Sequence, residues 1–125
     1  MKVYIVVEDW TSMYPDPLVL RAGQEVILDK SKVIEELEWE NWIWCSDDSK
    51  SGWAPVQIMA IQEELSEHTS KAIVVNNYSS HELDVQVNDK LIGRETLNGW
   101  IWCRKMPKDL WGWVPARNLK EIAFE

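Results

Sequence analysis

An internal repeat constrains the fold of this chain more than any other feature. The phrase WIWC occurs at residues 42–45 and again at 100–103. IVVEDW (5–10) and IVVNNY (73–78) precede the two copies, and a Gly-Trp-x-Pro phrase follows each of them, at 52–55 and 112–115. The order is kept while the spacers change in length, as expected when loops vary around a fixed scaffold. The chain is therefore predicted to contain two copies of one unit.

The polar stretch QEELSEHTS (62–70) separates the copies and is typical of a linker. We therefore expect one domain at residues 1–62, a linker at 63–70 and a second domain at 71–125. A domain of about 60 residues buries only about 60% of the surface of its unfolded chain. Large aromatic side chains help so small a unit to build a core, which gives the nine tryptophans a structural reason.

The hydrophobic periodicity within each copy is that of β-strands. Val3, Ile5 and Val7 alternate with other residues, and short strand-like runs are separated by turn sequences such as YPDP (14–17) and LNG (97–99). Five short strands per copy predict an all-β protein made of two small five-stranded barrels in tandem.

The alternation also divides the repeated phrase between two faces. Ile43 and Cys45 point to one side of the strand while Trp42 and Trp44 point to the other, and the second copy behaves in the same way. The smaller residues suit the interior of a tight barrel. Each copy holds one cysteine, so no disulfide can form within a copy. Buried free thiols in a reducing compartment are the simplest expectation, and a bridge between the copies is the alternative.

The charge of the chain argues against some classes of partner. Twenty-one acidic and 13 basic residues give a net charge of −8, which opposes binding to nucleic acid or to an anionic membrane. Acidic residues at 35, 36, 38, 40, 47 and 48 predict a surface that either steers a basic partner segment or is an ordinary solvated loop of an acidic protein. We see no signal peptide and no run near the roughly 18 apolar residues of a membrane span, and so expect a cytoplasmic protein.

The inventory of chemically reactive residues does not favour an enzyme. His68 and His81 have no nucleophile or carboxylate at a known motif spacing, and Cys45 and Cys103 form no CxxC pair. The five glycines do not cluster into a phosphate-binding loop. We expect a non-catalytic protein without a metal or other cofactor.

Four phrases in a constant order, each found twice, resemble the Src homology 3 (SH3) domain in its bacterial variant form. Residues 6–10 and 74–78 resemble the family's ALYDY phrase, and 17–24 and 82–89 resemble its diverging turn. Residues 42–45 and 100–103 resemble its Trp-Trp-x-Ala strand, and 52–59 and 112–119 its closing Gly-Tyr-Ile-Pro-Ser-Asn-Tyr phrase.

The resemblance implies a groove of aromatic side chains that binds proline-rich peptides in the polyproline II conformation. The implied groove residues of the first copy are Trp10, Trp42, Trp53 and Pro55. Those of the second copy are Tyr78, Trp100, Trp113 and Pro115, with Glu82 receiving a basic side chain of the ligand. In the first copy Pro17 replaces this acidic residue, and Asp16 stands beside it.

Two departures from the family pattern remove a proline pocket. The first tyrosine of ALYDY is replaced by Glu8 or Asn76, and the closing tyrosine by Ile58 or Asn118. The sequence thus predicts a protein- or peptide-binding module whose partner is an extended segment, basic or containing proline. The alternative is a structural protein whose Trp-rich faces pack the two barrels together or form a homo-oligomer. Trp44 and Trp102 correspond to no groove position of the family, and we expect them to serve packing.

Overall fold

A computed structural model describes residues 1–12, 16–32 and 41–124, and this part of the chain is all-β as predicted. No helix in these ranges is long and apolar enough to cross a membrane. Short 3₁₀ turns lie at Val56–Ile58 and Ala116–Asn118. The strands are β1 (Lys2–Val6), β2 (Val19–Leu20), β3 (Glu25–Asp29), β4 (Trp42–Ser46), β5 (Ser51–Pro55), β6 (Met59–Glu64), β7 (Thr69–Val74), β8 (Tyr78–Ser79), β9 (Lys90–Leu97), β10 (Trp100–Lys105), β11 (Leu110–Pro115) and β12 (Leu119–Phe124).

The chain forms two compact units whose bounds differ from those expected. Unit 1 combines Met1–Asp16 with His81–Glu125, and unit 2 is the continuous segment Pro17–Ser80. The sequence-based division at 1–62 and 71–125 follows the repeat. The structural division cuts each repeat near its diverging turn.

The strand order shows what has been exchanged between the repeats. Unit 1 contains an antiparallel sheet of order β11-β10-β9-β1-β12, and unit 2 contains the equivalent sheet β5-β4-β3-β7-β6. The repeated phrases IVVEDW and IVVNNY begin at the ends of β1 and β7, and these two strands occupy the same place in the two sheets. Each unit therefore takes this strand from the other repeat.

The polar segment expected to be a linker at 63–70 instead belongs to a hairpin of unit 2. β6 and β7 pair up to Glu64 and Ser70. Residues 65–68 form the turn between them, which is closed by the Leu65 N–H donating to the Thr69 carbonyl oxygen at 2.9 Å. A polar hairpin turn and a linker have the same composition, so composition alone did not distinguish them.

Unit 2 is consequently a circular permutation of the unit 1 topology, inserted between residues 16 and 81 of unit 1. Its two ends lie side by side. The Leu18 N–H donates to Ser80 Oγ at 2.8 Å, and the Ser80 N–H donates to the Leu18 carbonyl oxygen at 2.9 Å. An inserted unit with adjacent ends can be accommodated in a surface loop of its host without disturbing the host's sheet.

The interior of unit 1 is a cluster of apolar side chains from β1, β9, β10 and β11 and from the segment between β8 and β9, and Leu119 of β12 packs against it. Its members are Tyr4, Val6, Leu83, Val85, Leu91, Ile101, Cys103 and Val114. Val74, Leu20 and Cys45 are the buried unit 2 counterparts of Val6, Val85 and Cys103. Cys45 and Cys103 are free thiols with no exposed surface, as the alternation predicted, whereas Ile43 is only half-buried. Burial raises the pKa of each thiol to about 12.

Candidate functional site

The hairpin β4–β5 or β10–β11 of each unit places a tryptophan directly opposite a proline. Trp100 on β10 pairs with Pro115 on β11, and Trp42 on β4 pairs with Pro55 on β5. Residues directly opposite on antiparallel strands have side chains on the same face of the sheet. The sequence-based grouping of each tryptophan with the proline of its own repeat therefore agrees with the structure.

The exchange of β1 and β7 decides which further aromatic residue joins each pair. The ring of Trp10 lies 5.4 Å from that of Trp100 in an edge-to-face arrangement, and the ring of Tyr78 lies 6.4 Å from that of Trp42. The repeats alone predict that Trp10 groups with Trp42 and Tyr78 with Trp100. The structure brings together the opposite partners, because each aromatic residue follows a strand that belongs to the other repeat's sheet.

Glu82 lies in unit 1 with its carboxylate directed at an indole. Glu82 Oε1 accepts a hydrogen bond from Trp10 Nε1 at 2.9 Å, and the residue is only 8% exposed. A backbone bridge joins Glu82 to Trp113, and the paired N–H and carbonyl groups of Trp10 and Val85 hold the neighbouring segment. The side chain expected to receive a basic group of a ligand thus fixes the ring of Trp10.

Burial is uneven among the remaining residues of the expected grooves. Trp100, Trp113 and Tyr78 are 7%, 6% and 8% exposed, and Pro55 and Pro115 are buried. Trp10, Trp42 and Trp53 retain a half-buried side chain. Solvent therefore reaches Trp10 in unit 1 and Trp42 and Trp53 in unit 2.

Asn118 explains one of the departures from the family pattern. Its side chain is 1% exposed, and Nδ2 donates to the carbonyl oxygens of Glu8 and Asp9 at 3.1 Å each. The Val7 N–H donates to the Asn118 carbonyl oxygen at 2.8 Å. Where the family has a pocket-lining tyrosine, this chain has a buried amide that holds the turn after β1.

The second tryptophan of each WIWC phrase also contacts an aromatic residue of its own unit. Trp102 meets Trp113 at 5.2 Å, and Trp44 meets Trp53 at 5.2 Å, both edge to face. These are directly opposed cross-strand pairs, in which an aromatic contact contributes about 0.5–1.5 kcal/mol beyond area burial. Trp44 and Trp102 thus each contact an aromatic ring within their own unit.

Unit 1 carries a further aromatic contact that the repeated phrases do not predict. Trp111 stacks on Trp102 at 6.4 Å with 15° between the ring planes, and the Arg94 guanidinium lies 5.8 Å from the Trp111 ring centre. Aligning the two repeats reveals this difference, because the position of Trp111 is occupied by Ser51 in the first repeat.

The predicted acidic surface is only partly within the described residues, since residues 35, 36, 38 and 40 lie outside them. Asp47 accepts hydrogen bonds from the N–H groups of Ser49 and Lys50 at 2.8 and 2.7 Å, and these bonds lower the pKa of its carboxyl group.

Over residues 1–12, 16–32 and 41–124, no cluster of His, Cys, Asp and Glu is arranged to hold a metal ion.

Comparison with known families identifies one domain in the chain. Residues 3–62, just under half of the chain, match the family model of the variant SH3 domain, and no second SH3 domain is shown. No curated protein and no solved structure matches the chain with significant similarity. The chain therefore contains an SH3-like domain, a class of domain that generally mediates interaction with proteins or peptides and is generally non-catalytic.

Proposed function

We propose that the protein is a non-catalytic interaction module in which both units are SH3-like and each binds an extended protein segment. The match over 3–62 supports this assignment for the first repeat, and the identical strand orders of the two sheets support it for the second. The partner would lie against Trp10, Trp100 and Pro115 in unit 1 and against Tyr78, Trp42 and Pro55 in unit 2.

The observation that carries the proposal is the recurrence of one aromatic arrangement in both units. Each unit holds a tryptophan opposite a proline, with an aromatic residue from the exchanged segment 5.4 or 6.4 Å away. Flat apolar walls of this kind suit the rigid ridges of a polyproline II segment. Because Trp10 and Trp42 are the solvent-accessible indoles of these trios, we propose them as the main ligand contacts.

Glu82 has a different part in this proposal from the one that the resemblance implies. Its carboxylate holds Trp10 Nε1 at 2.9 Å, so it acts as a positioning residue for the groove wall. Binding of a basic ligand side chain is then not required for affinity in unit 1.

The burial of several groove residues favours a second candidate, an assembly role. Trp100, Trp113 and Tyr78 are at most 8% exposed, which leaves a narrower free surface than a wide peptide groove offers. In this case the Trp-rich faces would pack against each other or against a second copy of the chain.

Indole N–H resonances distinguish the two candidates. The nine tryptophans give separate signals in a ¹⁵N-labelled sample, and the variants Trp10→Phe and Trp42→Phe assign the two proposed contacts. We expect proline-rich decapeptides to shift these two signals in a monomeric protein. A concentration-dependent sedimentation coefficient, with no shift for any peptide of a proline-rich library, would instead favour the assembly role.

Matched substitutions at Glu82 test its positioning role. Glu82→Gln keeps an oxygen that can accept the Trp10 N–H, whereas Glu82→Ala removes it. We expect Glu82→Gln to retain affinity for both neutral and arginine-containing peptides, and Glu82→Ala to weaken both. A loss confined to arginine-containing peptides in Glu82→Gln would show that the carboxylate pairs with the ligand directly.

A further inference from the structure

The outer face of β9, β10 and β11 in unit 1 differs from its counterpart in unit 2 at one cross-strand pair. In unit 1 Arg104 lies opposite Trp111, whereas in unit 2 Ser46 lies opposite Ser51. The two serine hydroxyls lie 2.8 Å apart and bond to each other. The scaffold that the two units share therefore folds with two serines at this pair, whose hydroxyls bond to each other. The arginine and tryptophan of unit 1 are additions that the fold does not require.

Several contacts hold the added tryptophan in one orientation. Trp111 Nε1 donates to Asp109 Oδ1 at 2.9 Å, and its ring stacks on Trp102 with 15° between the planes. The β9 strand is irregular opposite Trp102 and Cys103, between Glu95 and Gly93, and Arg94 lies at this bulge. A bulge can redirect a side chain, and here the Arg94 guanidinium lies 5.8 Å from the Trp111 ring centre.

The two arginines of this face have no ion-pair partner among residues 1–12, 16–32 and 41–124, although other cations of unit 1 do. Lys105 pairs with Asp89 at 3.4 Å and Lys2 with Glu121 at 3.6 Å. Glu95 lies next to Arg94 at the bulge, yet within the described ranges it forms no ion pair with either guanidinium group. Guanidinium groups beside an aromatic wall are suited to bidentate binding of carboxylates.

Local charge on this part of unit 1 is opposite to that of the protein as a whole. Residues 90–115 contain five basic and two acidic residues, a net charge of +3, in a chain of net charge −8. The equivalent stretch of the first repeat, 25–55, contains three basic and eight acidic residues, a net charge of −5. One repeat thus carries a basic aromatic face on a scaffold that is acidic in the other.

We propose that the face formed by Arg94, Trp102, Arg104 and Trp111 is a docking surface for an acidic protein segment, with carboxylates on the two guanidinium groups and an apolar or aromatic side chain against the stacked indoles. The assignment rests on the proposed interaction function but uses other residues than the Trp10 and Trp42 grooves, since Arg104 and Trp111 lie further along β10 and β11 than the pair Trp100 and Pro115. A short peptide can place its few carboxylates on this basic stretch, whereas the uniformly charged phosphate backbone of a nucleic acid would extend onto the rest of an acidic chain.

Fluorescence anisotropy with labelled peptides tests the docking surface on the full chain. The probe is a decapeptide of alternating Glu and Tyr, compared with versions that carry Gln or Lys in place of Glu, and with a ten-nucleotide thymidine strand. We expect the Glu peptide to bind about tenfold or more tightly than the Gln peptide, with affinity falling as salt is raised. Equal affinity for the Glu and Gln peptides, no binding of the Glu peptide, or tighter binding of the oligonucleotide would each overturn the proposal.

Variants that copy the serine pair of unit 2 separate docking from folding. Arg104→Ser and Trp111→Ser recreate the Ser46 and Ser51 pair, so unit 1 is expected to stay folded by circular dichroism while affinity for the Glu peptide falls about tenfold. Lys32→Gln is the matched control, because Lys32 Nζ lies 5.7 Å from the Trp44 ring centre in unit 2. Arg94→Gln should lower affinity for the Glu peptide about tenfold. An equal loss of affinity in Lys32→Gln would refute the assignment to unit 1.

The indole signals make failure of this proposal distinct from failure of the proposed function. The Glu peptide is expected to shift the Trp102 and Trp111 signals and leave those of Trp10 and Trp42 in place. If proline-rich peptides shift the signals of Trp10 and Trp42 while the Glu peptide shifts neither that of Trp102 nor that of Trp111, the proposed grooves are supported. The proposed docking surface for an acidic segment is then wrong.

Discussion

The insertion of unit 2 between residues 16 and 81 predicts that the stabilities of the two units are coupled in one direction. Unit 1 must bring together the segments before and after unit 2, which are joined by the bridge between Trp10 and Val85. If unit 2 is unfolded, this closes a loop of 64 residues, 17–80, and the cost scales as (3/2)RT ln n, or about 3.7 kcal/mol. If unit 2 is folded, the hydrogen bonds between Leu18 and Ser80 have already joined the ends, and most of that cost is removed.

Leu28→Ala and Leu91→Ala test this coupling from its two sides. Leu28 is 1% exposed in unit 2 and Leu91 is 0% exposed in unit 1, and each truncation should cost its own unit about 2–5 kcal/mol. Leu28→Ala should also destabilise unit 1, by up to about 3–4 kcal/mol once unit 2 is mostly unfolded. Leu91→Ala should leave unit 2 unchanged, because unit 2 is a continuous segment with its ends paired.

The two buried thiols report the opening of each unit separately. Cys45 lies in unit 2 and Cys103 in unit 1, so alkylation followed by mass spectrometry of the two peptides measures each opening rate. Leu28→Ala should accelerate alkylation at both cysteines, and the rate at Cys103 should rise up to several hundredfold. Leu91→Ala should accelerate alkylation only at Cys103. Unchanged protection of Cys103 in Leu28→Ala, or equal acceleration of Cys45 in Leu91→Ala, would refute the reasoning.

Three further predictions concern the fold. A fragment of residues 17–80 should give a cooperative thermal transition by circular dichroism, whereas residues 3–62 should not, because β3 and β6 would lose β7 between them; a folded 3–62 fragment would contradict this topology. Gly112→Ala should destabilise the protein by about 1–3 kcal/mol in urea unfolding, since the added Cβ would lie 2.9 Å from the Leu83 backbone nitrogen. Gly52→Ala should destabilise it less, because the Cβ added there would lie 3.4 Å from Leu18 Cβ. The free energy of unfolding should fall as pH rises from 9 towards 12, because the buried thiols, with a pKa of about 12, keep protons that unfolded thiols of pKa 9.0 release. The slope is at most about 1.4 kcal/mol per pH unit for each thiol. Cys→Ala variants measured in parallel should show a shallower slope.

The sequence predicted local features well, because they depend on side-chain alternation within a strand. The burial of Cys45 and Cys103 and the pairing of Trp42 with Pro55 follow from a period of two and from the short hairpin that joins the strands. Which sheet each strand joins could not be derived in this way. β1 and β7 share the residues Ile-Val, but their surroundings differ in side-chain volume. The Tyr4 ring of β1 fills the space where a Cβ on Gly93 would lie, whereas in unit 2 Leu28 occupies the position of Gly93 and Ala72 that of Tyr4. The choice of sheet therefore depends on complementarity between residues that are distant in sequence.

The candidate site shows the same limit. Trp10 and Tyr78 were identified from the residues that surround them, but their partners depend on the strand exchange and were therefore interchanged. The role of Glu82 as acceptor for Trp10 Nε1 depends on a contact between residues 72 positions apart, which no local pattern reports. The Arg104 and Trp111 pair is visible in the sequence as a difference between the two repeats, because the first repeat has Ser46 and Ser51 at these positions.

The β6–β7 hairpin gives the chain the connectivity of a dimer joined into one polypeptide. Cutting the turn at residues 65–68 would leave two pieces of similar length, each contributing its first strand to a sheet built by the other. Two copies of a single repeat that had exchanged their first strands would be connected in the same way, and joining the end of one copy to the start of the next would produce this hairpin. Gene duplication of a strand-swapped homodimer is thus a direct route to this architecture, and a nicked protein is expected to behave as a stable two-chain complex.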